Sequence, residues 1–165
     1  VAKIISVSEN RADAKRNIEL AGIYPEVLSA AGLYPTYLEL DRAIEMYGFI
    51  RANRNRLVAI GEVGLDFWLV KEDKDKEIQK KIFAGFIDLS NELGLPLNVH
   101  SRSAGRHAVA LLLDRNAQKV QLHAFDGKAS AAMPAFTWMT VPPAKSRAPM
   151  RARKPPPQTQ CAIGE

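Results

Sequence analysis

One cysteine, Cys161, stands in 165 residues, so no disulfide can close within the chain. A lone thiol is the usage of a reducing compartment, and a cytoplasmic protein is expected. No apolar run approaches the roughly 20 residues that cross a bilayer. No basic stretch leading into an apolar one opens the sequence, as a secretory signal would. A membrane partner is therefore not expected. Phosphate-cradling glycine loops, dinucleotide fingerprints and paired-cysteine zinc motifs are also missing; Gly61 and Gly64 stand too close together to make one. No serine–histidine–acid set stands out. Histidine is scarce, with three in the chain. The formal charge is +5, but beyond Pro134 the cations Lys145, Arg147, Arg151, Arg153 and Lys154 face only Glu165. The remainder is close to neutral, which excludes a generally basic nucleic-acid-binding surface.

What is present is alternation of strand-like and helix-like segments. Strands are expected at 2–7, 27–31, 57–61, 97–99 and 119–122, with helices at 11–20, 37–52, around 78–93 and at 104–116. Leu40, Ile44, Tyr47 and Ile50 form one apolar stripe, and Ile78, Ile82, Phe86, Leu89 and Leu93 a clearer one. Gly94 and Pro96 mark the end of that second helix. Val109, Leu112 and Leu113 are the expected buried positions of the next. Gly127 to Met133 reads as the start of one more helix. Alternating units of this kind imply an α/β fold with a parallel sheet, as an open sheet or as part of a barrel. Val1 leads straight into the first apolar run, which reads as a start inside a domain. Seven of the 10 prolines fall after Met133. Residues 1–133 are therefore expected to form the folded unit. Residues 134–165 are expected to hold one more strand at Phe136–Val141 and then a disordered, proline-rich basic tail.

Three apolar runs end in residues able to bind a metal. Leu57 to Gly61 leads to Glu62, Pro96 to Val99 to His100, and Val120 to Leu122 to His123. A side chain at the C-terminal end of a parallel strand faces the mouth of an α/β barrel, where catalytic groups sit. One carboxylate and two imidazoles make half or more of a hydrolytic metal site. Each residue alone also fits a bland role: Glu62 as a turn cap, either histidine as a hydrogen-bonded structural residue. Their common position on successive strands is what joins them. Gly61 and Gly64 are expected to let the backbone approach a ligand or metal closely. Asp66 and Asp126 fit either the mouth or a helix cap. Arg102 fits either a phosphate contact or a surface ion pair. His107 is expected on an exposed helix face.

Ile60-Gly61-Glu62-Val63-Gly64-Leu65-Asp66-Phe67, Leu95-Pro96-Leu97-Asn98-Val99-His100-Ser101-Arg102 and Leu122-His123-Ala124-Phe125-Asp126-Gly127 together resemble the TatD family of metal-dependent hydrolases, in the amidohydrolase superfamily. The resemblance implies a partial TIM-type (β/α) barrel here, about five to six of eight units. It implies a centre of two divalent ions (zinc, manganese or magnesium) in the complete protein, and cleavage of phosphodiesters in DNA. It makes Glu62 the bridging, catalytic carboxylate and His100 and His123 metal ligands, with Arg102 and Asp66 in supporting, substrate-binding roles. The family pattern also has a His-x-His pair on a first strand and a late aspartate, and histidine where Tyr34 stands in Gly32-Leu33-Tyr34-Pro35. None of these occurs in the 165 residues, so weak turnover is expected of them. Two further readings are a related barrel that cleaves another ester or an amide, and a non-catalytic remnant. In the latter the basic tail would bind nucleic acid, or Pro155-Pro156-Pro157 a partner.

Overall fold

The short strands are apolar on one face, and the chain between them is helical. The computed structural model describes residues 2–123 and 125. Within them β1 (Ile4–Ser6), β2 (Val27–Ala31), β3 (Ala59–Gly64), β4 (Leu97–His100) and β5 (Val120–Leu122) are all parallel and lie side by side in sequence order. The helices α1 (Arg11–Ile23), α2 (Leu40–Asn53), α3 (Asp73–Leu93) and α4 (Gly105–Asp114) fill the crossovers. A doubly wound open sheet reverses its strand order at a switch point. No reversal occurs here, so right-handed crossovers carry every helix to one face, and the sheet is an arc of a (β/α) barrel. The expected segment at 127–133, the strand at 136–141, Asp126 and the proline-rich tail lie outside the described residues.

Helix ends follow local chemistry. The Asn10 side chain accepts from the Asp13 N–H at 3.0 Å and caps α1. Asp73 and Asp75 sit in the first turn of α3, where the helix dipole favours negative charge. Gly94 ends α3 with φ 67°, a left-handed turn that costs glycine little.

The core lies between sheet and helices. From the sheet it takes Ile60, Val63, Leu97 and Val99; from α3 it takes Ile82, Phe83, Phe86, Ile87 and Leu89. The expected α3 stripe is buried in its middle and half-buried at Ile78 and Leu93. Two other expected stripes are corrected. On α2 the inward residues are Ala43, Met46 and Ile50, while Leu40 and Ile44 face solvent. The helix is rotated so that Tyr47 leans toward α3 and donates its hydroxyl to the Ile82 carbonyl at 2.8 Å. Burial pushes that hydroxyl up to about 12. On α4, Ala108, Val109 and Leu112 point inward and Leu113 is exposed. The concave face of the sheet is different in kind. Ile5, Leu28, Val58, Asn98 and Gln121 line a cleft of about 300 Å³ there.

Candidate metal centre

The expected strand end at Gly61 is not where β3 stops. The strand continues to Gly64, and Glu62 lies inside it at an irregularity. Ile60 pairs with Leu97 and Val63 with Val99, so Gly61 and Glu62 together stand opposite Asn98. Strict alternation would turn Glu62 toward the helices with Ile60. One extra residue turns its side chain to the concave face and returns Val63 to the core. The Gly61–Glu62 peptide is cis. The turn is held from the side by Ser8, a buried residue just beyond β1. Glu62 N–H donates to the Ser8 carbonyl at 3.0 Å, and Ser8 N–H donates to the Gly61 carbonyl at 3.2 Å. Gly32 N–H donates to Ser8 Oγ at 3.0 Å.

The glycines here serve strand packing. A Cβ on Gly32 would lie 2.6 Å from the Glu62 carbonyl oxygen, and one on Gly61 2.8 Å from the Asn98 Cβ. Gly64 has φ 141° and meets the His100 carbonyl.

His100 is the last residue of β4 and His123 follows β5 directly. The amide of His123 donates to the Val99 carbonyl at 3.3 Å, which sets the two histidines level. His100 Nδ1 lies 2.7 Å from Glu62 Oε1, and His123 Nε2 lies 2.9 Å from the same oxygen. The three potential ligand atoms all fall within 4.8 Å of one another. On its far side His100 Nε2 meets Asp66 Oδ2 at 2.9 Å.

Asp66 is completely buried beside His100 and does not cap the next helix, since the residue before α3 is Glu72. Its Oδ1 accepts from the Leu69 N–H at 2.8 Å and closes the turn after β3, while Oδ2 holds the imidazole. A carboxylate on Nε2 fixes a proton there and turns Nδ1 toward Glu62, the usual arrangement behind a metal-ligating histidine. The donor set of two imidazole nitrogens and one carboxylate, with such a partner behind it, fits a divalent cation.

Charge is balanced within this cluster. The hydrogen bond from His100 lowers the Glu62 carboxyl below its usual range, helped by the charges of His123 and His100 against the opposing effect of burial. Burial alone pushes the His100 ring toward neutrality, but hydrogen bonds and charge from Glu62 and Asp66 outweigh it and raise its pKa.

Two residues escaped the sequence reading. Gln79 is buried on α3; its Oε1 accepts from the Asp66 N–H at 3.0 Å and its Nε2 donates to the Pro35 carbonyl at 2.8 Å. It thereby ties the Asp66 turn to the Tyr34–Pro35 turn, where the Tyr34 ring packs 5.1 Å from His100. The signal for Gln79 was a polar residue within an apolar helix face. Ser8 carried no signal at all. Arg102 is exposed, and its guanidinium lies over the Trp68 ring, 5.0 Å from the centroid. His107 is exposed as expected, with its ring 5.1 Å from that of Phe67.

A barrel arc with a carboxylate and two imidazoles converging at its strand ends defines a class: (β/α)-barrel proteins with a divalent-metal centre. Residues 1–145 match the family model described as TatD related DNase, and the chain belongs to that family. It is 38% identical to human deoxyribonuclease TATDN3 over 81% of its own length and 53% of that protein. It is 33% identical to a Bacillus subtilis protein named as the metal-dependent hydrolase YabD, over 80% of this chain and 52% of that one. The crystal structure of YJJV, a TatD homologue from Escherichia coli, superposes with a TM-score of 0.74 at 25% identity, covering 84% of this chain and 54% of that one. The chain thus spans about half the length of the curated relatives it matches.

Proposed function

We propose that this chain carries part of the centre of a metal-dependent hydrolase of phosphodiester bonds, a deoxyribonuclease acting on DNA. The observation that supports this most directly is the convergence of Glu62, His100 and His123 within 4.8 Å, with Asp66 behind His100. Glu62, His100 and His123 would hold the metal, the Glu62 carboxylate lying between the two imidazoles. Two imidazole nitrogens with a carboxylate suit zinc or manganese, and magnesium with more water retained. A bound cation supplies charge that polarises a phosphoryl oxygen and acidifies water. Glu62 would accept a hydrogen bond from an attacking water, Asp66 keeps the His100 ring in register, and Arg102 would offer a guanidinium to the phosphate. In this reading residues 1–133 are the barrel portion, residues 134–165 a tail, and the single cysteine fits the reducing cytoplasm.

The test is calorimetric titration of zinc and manganese into the chain. Saturable binding that is lost in Glu62→Ala supports the reading; equal binding by wild type and Glu62→Ala overturns it.

A further inference from the structure

Trp68 is 54% exposed although it stands in the turn between the buried Asp66 and Val70. The Arg102 guanidinium lies 5.0 Å from its ring centroid and the Lys71 ammonium 5.1 Å. Both cations lie over the exposed indole, a cation–π platform whose charges the phosphate oxygens of a nucleotide can draw away as a base takes their place on the ring. Its position relative to the metal centre is fixed by the backbone. Trp68 follows Asp66 by two residues, and Arg102 follows His100 by two. The segments after β3 and β4 are stitched together, Leu65 N–H donating to the His100 carbonyl at 2.9 Å and Phe67 N–H to the Arg102 carbonyl at 3.0 Å.

We propose that Trp68, flanked by Arg102 and Lys71, is a subsite that stacks an unpaired nucleobase next to the phosphate held at Glu62, His100 and His123. The proposal rests on the phosphodiesterase reading and adds where the neighbouring nucleotide binds. A nucleotide uses everything the platform offers, a π-face for the indole and phosphate oxygens for the two cations. An acidic peptide would engage the cations and leave the ring uncovered. Bases inside a duplex are already stacked and present no face to it.

The chain has two tryptophans, so Trp138→Phe leaves Trp68 as the sole indole reporter. Fluorescence titration of that protein in EDTA, which removes any role for metal, uses three probes: a short single-stranded oligothymidylate, the same backbone without bases, and a duplex of equal length. The oligothymidylate should quench Trp68 and bind about tenfold tighter than the abasic strand. Read by anisotropy of a labelled strand, Trp68→Leu should reduce the oligothymidylate to the abasic affinity, and Trp68→Phe should retain part of the preference. Equal affinity for the abasic strand or the duplex, or equal quenching by polyglutamate, overturns the proposal. Zinc titration of the same protein reports separately. Failure there removes the metal reading, whereas intact zinc binding without a base preference removes only the subsite.

Discussion

Glu62 and His100 hold each other in their charged forms when no cation intervenes, and this makes the centre sensitive to pH. The Glu62 carboxyl is lowered from 4.5, so its contribution to stability is present above that value and lost as pH falls through the lowered one. The His100 ring is raised from 6.5, so its contribution is present below that value and lost as pH rises through the raised one. In EDTA the difference in Tm between wild type and Glu62→Gln should therefore be largest between pH 4.5 and 6.5 and shrink on either side. A difference that grows steadily from pH 6.5 to 8.5 would contradict the pairing seen here. Protons and a cation compete for His100 Nδ1, so metal affinity should fall on acidification from a pH above the ordinary imidazole range. Gly64→Ala is a second residue-level prediction. With φ 141° and the His100 carbonyl against it, an added methyl strains β3 and should cost about 1–3 kcal/mol in chemical denaturation. An unchanged denaturation midpoint would contradict that contact.

Among the helices, α3 packs most extensively against β3. Phe83 and Phe86 are fully buried between it and the sheet, and Phe86→Ala should destabilise the fold by about 3–5 kcal/mol. Ile44 on α2 is 64% exposed, so Ile44→Ser should change stability by less than about 0.5 kcal/mol. Comparable losses in the two variants would mean that α2 is rotated from the position described. The period of hydrophobic residues gave the existence and limits of these helices well, with β2 at 27–31 and the end of α3 at Gly94 as expected. It misassigned the α2 face because Leu40, Ile44, Tyr47 and Ile50 and the pair Ala43 and Met46 lie on adjoining sectors of one helix. Which sector turns inward depends on α3, through the Tyr47 contact with Ile82, and local periodicity carries no information about a neighbour.

At the scale of the molecule, the sheet is a barrel arc with a concave cleft that exposes Ile5 and Val58. The candidate metal ligands stand at one end of that arc, on β3, at the end of β4 and just after β5. The family's other ligand positions, the His-x-His pair and the late aspartate, have no counterpart among the 165 residues. A cation held by three protein ligands, without that aspartate as proton acceptor, should support little turnover. Metal-dependent cleavage of a phosphodiester substrate by this chain should stay near background even where zinc binds. Robust cleavage abolished by Glu62→Ala would show instead that the three ligands suffice. The sequence by itself determined the parallel α/β order and the family, and it singled out Glu62, His100 and His123 as candidates, because apolar run length and a polar residue at the run's end are local properties. Run length and periodicity left open sheet and barrel undecided, and the barrel came from the family resemblance alone; the tertiary structure shows it directly, because strand order depends on long-range pairing. Only the tertiary structure decided how Glu62 reaches the histidines: a single extra residue opposite Asn98 reverses the face of every side chain after it, and that register is set by the neighbouring strand.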